Sequence, residues 1–234
     1  MAGDPRLRLF HDLALPGTKP QMSTANHREN VPAATLAERT RRLLRARGLM
    51  RARELRAEGV TPTTLSRMLE AGDVVRLGRG LYQLADAEVD TQHELAQAAK
   101  RIPKGVICLT SAIAFHGLTD QLPRRVWIAI GPRDWAPTAD RPPLRIVRMA
   151  KSLLDADVER HDIEGVEVKI FSAARSVVDA FRHERSVGRN LAIESLREAL
   201  RQRAATPAEI SSLAERHGAW SKMRPYLEAL TADA

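Results

Sequence analysis

Thr35–Ala85 reads TLAERTRRLLRARGLMRARELRAEGVTPTTLSRMLEAGDVVRLGRGLYQLA, and its punctuation decides the fold. Thr35 with Glu38 three residues on forms a capping-box pattern, which predicts a helix over Leu36–Arg47 with Leu36, Leu43 and Leu44 as its apolar stripe. Gly48 is a stop signal. A second, short helix is expected over Arg51–Glu58, with Ala52 and Leu55 on its buried side and Gly59 at its end. Thr61-Pro62 then opens a third helix, a hydroxyl cap followed by proline at the first helical position. Leu65, Met68 and Leu69 give it one buried face, and Gly72 ends it. Val74–Leu77 and Leu81–Leu84 are short apolar runs around Gly78-Arg79-Gly80, a hairpin tip. Three short helices followed by a hairpin is the order of a winged helix-turn-helix.

That order points to DNA. The exposed face of the third helix carries Thr63, Thr64, Ser66, Arg67 and Glu70. Small hydroxyls near a helix start suit phosphate oxygens or base edges, and Arg67 is long enough to reach a guanine in the major groove. Arg76 and Arg79 would project from the wing, where an arginine on a tight turn suits the minor groove or the backbone. Between positions 36 and 80, eleven arginines face five acids, an excess of six in a chain whose whole formal charge is +8. A basic, solvated helical surface would show the same charge, so the helix order and glycine spacing carry the reading.

The remaining composition sets limits. Only 4% of residues are aromatic, so the cores must come from Leu, Ile, Val and Ala. The single cysteine, Cys108 in the run VICL, reads as a buried small hydrophobe, and one cysteine excludes a disulfide within the chain. No stretch has the apolar length to span a bilayer, and LRLFHDLALPG near the start is too short and too interrupted for a signal peptide. A cytoplasmic protein is expected.

Residues 1–33 mix prolines, glycines and polar residues without a period and read as a flexible leader. Met22 lies within it as an alternative start, and Arg6, Arg8, Lys19 and Arg28 could instead make it an arm that orders on DNA. The winged helix-turn-helix is assigned to 34–88, followed by an acidic joint, DAEVD, at 86–90. A second domain runs over 91–234. Helices are expected at Thr91–Arg101, from Thr110-Ser111 through His116, and at Ala173–Glu184 behind Ser172. Three more follow at about 188–204, 206–217 and 220–231. Strands are expected at Arg125–Gly131, read as central, at Leu144–Met149 and at Val166–Phe171. Val106–Leu109 reads as strand or helix lead-in, Asp134–Pro143 as a proline-rich loop, and 151–163 stays ambiguous. The fold class is therefore α+β: an N-terminal winged helix-turn-helix followed by a mixed α/β domain ending in a helical bundle.

These blocks resemble a family. The module ending in RLGRGLYQLA looks like the N-terminal part of AbiEi-type antitoxins. ICLTSAIAFHGLTDQLPRRVWIAI, GVEVKIFSAARSVVDAFRH and the helix Ala192–Leu200 are similar to the family's later segments, so the resemblance spans roughly 36–230. It implies an antitoxin of a type IV toxin–antitoxin system tied to phage defence. The partner would be a nucleotidyltransferase-like toxin, opposed without a stable complex. It implies that the winged helix binds inverted repeats in double-stranded DNA of its own promoter and represses transcription, while the C-terminal domain neutralises the toxin. By position, Thr63, Thr64, Ser66, Arg67, Arg76 and Arg79 match the recognition helix and wing. The long leader departs from compact members.

Two competing readings remain: a winged-helix regulator whose second domain senses a ligand or dimerises, and a Mg²⁺-dependent nuclease. The second rests on Glu167-x-Lys169 with Asp155 and Asp157 upstream. In VEVKIF, however, Glu167 and Lys169 simply fill the wet face while Val166, Val168 and Ile170 point inward. His116 reads as a helix-terminal residue, and His93, His161, His183 and His217 have no metal-ligand spacing. No enzyme, metal or cofactor is expected. Arg175 and Asp179, at i and i+4, are expected to form a surface ion pair, with a partly buried polar cluster as the alternative. Arg197, Arg201 and Arg203 read as a solvated face.

Overall fold

The computed structural model of the chain describes residues 35–87, 92–137 and 142–232. The leader and its four basic residues, the 88/91 junction and part of the proline-rich loop lie outside the described residues. Ala34–Ala234 forms one compact unit.

Local signals build its first part. Helix α1 (Leu36–Arg47) starts at Thr35, whose hydroxyl accepts from the Glu38 N–H while the Glu38 carboxylate accepts from the Thr35 N–H. Its buried residues are Leu44 and Thr40, and the Thr40 hydroxyl donates to the Leu36 carbonyl at 2.7 Å. Next comes a strand the sequence reading misses, β1 (Met50–Arg51), so α2 begins at Ala52 and runs to Ala57. Helix α3 (Pro62–Glu70) is capped by Thr61 and buries Leu65 and Met68. Strands β2 (Val74–Gly78) and β3 (Leu81–Leu84) form the hairpin. With β1 they make a three-stranded antiparallel sheet in the order β1-β3-β2. Leu44, Met50, Leu55, Val60, Leu65, Met68, Val74 and Leu84 are its core. This is the winged-helix order, with β1 as the third strand.

The second part is a five-stranded mixed sheet in the order β6-β5-β4-β8-β7. Its strands are β4 (Val106–Ile107), β5 (Val126–Ile130), β6 (Leu144–Arg148), β7 (Val158–Ile163) and β8 (Val166–Phe171). Strand β5, expected to be interior, is buried throughout and lies between β6 and β4, while the middle of the sheet is the two-residue β4. The ambiguous segment resolves as a short helix α6 (Lys151–Leu154) and the edge strand β7. Helix α4 (His93–Arg101) packs on β8, and its Leu95, Ala98 and Ala99 share a core with Ile107, Ile128, Val168 and Ile170. Helix α5 (Leu109–Phe115) starts one residue earlier than expected, at Leu109, which takes the left-handed φ of 47°.

Helix α7 (Ala173–Arg182) is shorter than expected because the chain breaks at His183 and restarts as α8 (Glu184–Val187). Helix α7 packs against α5, α9 (Arg189–Arg201) and α10 (Pro207–Arg216), and α11 (Trp220–Ala232) completes the bundle. Val177, Val178, Phe181, Leu196, Ile210, Leu213 and Met223 form the apolar centre. Each fully buried aliphatic or aromatic side chain there contributes about 1.5–3 kcal/mol over exposure.

The β7–β8 turn is one of the places where the two parts meet. Glu164 and Gly165 join β7 to β8 with φ of +53° and +71°, the left-handed pair of a tight hairpin turn. That turn presses on the end of α1. A Cβ on Gly48 (φ +59°) would overlap the Glu164 carbonyl, and one on Gly165 would lie 2.9 Å from the Arg47 oxygen. Leu49 and Leu81 of the winged helix extend the contact, both buried in the core of α4, β4, β5 and β8. Gly48→Ala should therefore lower unfolding free energy by about 1–3 kcal/mol. A lower urea midpoint at unchanged m value checks this.

Candidate nucleic-acid interface

The outward residues of α3 follow from its burial. Leu65 and Met68 face the core, which leaves Thr63, Ser66 and Arg67 exposed. Thr64 is half-buried: its N–H donates to the Thr61 hydroxyl at 3.2 Å, and the two hydroxyls are 2.9 Å apart. Its backbone donor thus belongs to the cap, and its side chain sits at the rim of the face. Arg76 and Arg79 are exposed on the hairpin. The register breaks between Arg76 and Gly78, and Arg76 Nε donates to the Gly78 carbonyl at 3.2 Å, across the break. Gly80 (φ +67°) closes the tip, and its carbonyl accepts from the Ala52 N–H, tying the wing to the start of α2.

Ion pairing sorts the eleven arginines. Arg41 pairs with Asp73 at 2.5 Å, Arg47 with Glu58 at 2.8 Å and Arg45 with Asp86 at 3.5 Å, all away from the α3 face. Glu54 takes Lys100 of α4 at 3.1 Å and the Arg51 N–H at 2.7 Å. Burial opposes its charge, but these two partners outweigh it and hold its carboxyl below the usual carboxylate range. The module's acids are therefore largely consumed. Among the described residues, the other eight arginines form no ion pair; of these Arg67 lies on α3 and Arg76 and Arg79 on the hairpin, where their charge acts outward.

Other candidates are placed elsewhere. Glu167 is exposed and pairs with Arg160 at 2.5 Å. Asp157 lies at the far end of the β7–β8 hairpin, beside Ser172, about 16 Å away by strand rise. Asp155 follows α6 at the surface. The carboxylates of the nuclease pattern do not converge. Among the described residues, no group of three or more His, Cys, Asp or Glu is placed to hold a metal ion. His116 follows α5 as its cap residue, as expected, and shares a 2.8 Å hydrogen bond with the Phe171 carbonyl. Burial lowers its pKa. Cys108 is fully buried, and burial pushes its thiol well up.

One expectation is overturned. Arg175 and Asp179 are completely buried, not a surface pair, because α7 is covered on every side by α5, α9, α10 and α11. Arg175 Nε donates to Asp179 at 2.9 Å. Its Nη1 lies 3.1 Å from His217 Nε2 and 3.5 Å from Asp157, and its guanidinium stacks 4.7 Å from the Phe171 ring. Asp157 sits in the left-handed region (φ 57°) to reach it. Three buried atoms of this cluster have no hydrogen-bond partner: Arg175 Nη2, Asp179 Oδ1 and His217 Nδ1. Sequence reasoning could not supply Asp157 and His217 as partners, since they lie 18 and 42 residues from Arg175.

Three helices followed by a hairpin with an outward basic face give the N-terminal part the layout of a winged helix. Residues 35–85 match the family described as "Transcriptional regulator, AbiEi antitoxin". The fold is similar to the crystal structure of the RV2827C protein from Mycobacterium tuberculosis, with a TM-score of 0.60 at 15% identity, over 86% of this chain and 78% of that one. At that identity the likeness is one of fold. No curated protein sequence matches the chain. Among the described residues, no helix is long and apolar enough to cross a membrane.

Two predictions follow from the buried cluster. Arg175→Leu should destabilise by about 3–5 kcal/mol by stranding Asp179, while Arg175→Met with Asp179→Leu should recover most of that loss. Thermal melts of both variants decide it. Burial first, then the Arg175 charge, lowers the His217 pKa below its ordinary 6.5, and burial also lowers that of His183. The unfolded chain therefore takes up these protons first. Unfolding free energy should fall as pH drops below about 6.5, with a shallower fall in His217→Asn.

Proposed function

We propose that this protein is an antitoxin of a type IV toxin–antitoxin system, acting in the cytoplasm, that also represses its own promoter. The DNA-binding part is residues 34–88 and the toxin-opposing part 91–234. The observation that carries the proposal is the outward set of Thr63, Ser66, Arg67 and Arg79, with Thr64 at its rim and Arg76 beside it. It lies within the segment matching a family of AbiEi antitoxin regulators.

In this reading Arg67 reads a base edge in the major groove while Arg76 and Arg79 hold phosphate or the minor groove. The functional partner is a nucleotidyltransferase-like toxin, opposed without a stable complex. The test has two arms. Binding to the upstream promoter fragment should exceed binding to random DNA and should fall steeply with salt. Arg67→Ala should cost about 1–3 kcal/mol and relax discrimination, whereas Arg79→Ala should weaken binding to all sequences. Equal affinity of the wild type for promoter and random DNA would falsify the repressor role. Co-expression of the full chain with a nucleotidyltransferase-like toxin should restore growth, and failure to restore it would count against the antitoxin role.

A further inference from the structure

Strand β2 of the wing is an edge strand, paired on one side only, with β3. It is held from outside. Arg101, the last residue of α4, donates from Nη2 to the Leu77 carbonyl at 3.2 Å, at the register break. A Cβ on Gly78 would collide with that same guanidinium. Arg76 holds the next carbonyl, that of Gly78, from within the hairpin. Two guanidiniums thus fix the consecutive carbonyls of Leu77 and Gly78, which lead into the bend that carries Arg79.

The underside is anchored as well. Leu81 is buried, and Leu77 is half-buried, against the core formed by Leu95, Ala98 and Ile102. The contact is reciprocal: Arg51 of β1 donates from Nε to the Lys100 carbonyl at the C-terminus of α4, at 2.6 Å. Each part supplies an arginine to the other's terminal backbone.

We propose that Arg101 is a positioning residue for DNA recognition: it acts from the second part of the chain to hold the wing so that Arg79 meets the nucleic acid. This rests on the DNA-binding reading above for its consequence, though the anchoring can be measured without DNA. Leu77 stands out of register, and a bulge re-aims the strand beyond it. Losing the Arg101 contact frees that bend and lets Arg79 sample many orientations.

The test uses the full chain. Hydrogen exchange over Val75–Gln83 should be at least tenfold faster in Arg101→Ala, with the α9–α11 segment unchanged. Arg101→Lys, which keeps a donor for Leu77, should be less than threefold faster. Gly78→Ala, whose methyl displaces the guanidinium, should match Arg101→Ala. Unchanged exchange in the wing, or equal acceleration in the bundle, overturns the proposal. In promoter binding, Arg79→Ala should lose about tenfold in the wild type but less than twofold in Arg101→Ala. An equal loss in both backgrounds also overturns it. If the wild type fails to prefer its promoter, the repressor reading fails, while the exchange measurement still decides whether Arg101 anchors the wing.

Discussion

Everything in this chain is arranged around a place where two backbones touch with no side chain between them. The end of α1 at Gly48 and the β7–β8 turn at Glu164-Gly165 approach too closely for a Cβ on Gly48. Because the turn is left-handed at both residues, its tip is narrow enough to enter. The Glu164 side chain then reaches His93 of α4 at 2.7 Å in a nearly dry site. With these fixed, Leu49 and Leu81 fall into the core of the larger sheet. The winged helix is thereby held by the second part, so the wing takes its orientation from α4.

The second organising feature is electrostatic. A guanidinium in an apolar bundle costs several kcal/mol unless its donors are engaged. Arg175 recruits Asp179 from its own helix, Asp157 from the start of β7 and His217 from the end of α10. It therefore ties sheet to bundle at one point. The three unpartnered buried atoms mark the site as the least satisfied polar region among the described residues. Burial and the Arg175 charge favour a neutral His217, while Asp157, 3.4 Å from its Nε2, pulls the other way.

What was readable and what was not divide along physical lines. Caps, glycine stops and Thr-Pro starts are local, so α1, α3, the hairpin and α10 are legible from Thr35, Thr61, Gly78-Arg79-Gly80 and Thr206. Strand β1 is two residues long and has no period to detect. Strand β7 (VERHDI) reads as polar because it is an edge strand whose best-buried residue is Ile163 at its end. The outward face of α3 could be assigned because helical spacing alone decides which side is wet. The role of Arg101 could not, for nothing near it in sequence says that its partner is the Leu77 carbonyl, 24 residues away. Likewise the i, i+4 spacing of Arg175 and Asp179 is identical on a wet face and in a dry core.

The strand order has a consequence for synthesis. The inner core of the winged helix uses residues between Leu44 and Leu84, all close in sequence, and can form as soon as that stretch leaves the ribosome. Its Leu49 and Leu81 share a core with Leu95, Ala98 and Ile102, which follow at once, and with Val166, Val168 and Ile170 of β8, which are made much later. For much of translation, the core around these two leucines therefore stays incomplete. The hairpin that completes it is the one whose turn also seats on Gly48, so a late event locks two halves that already touch through α4.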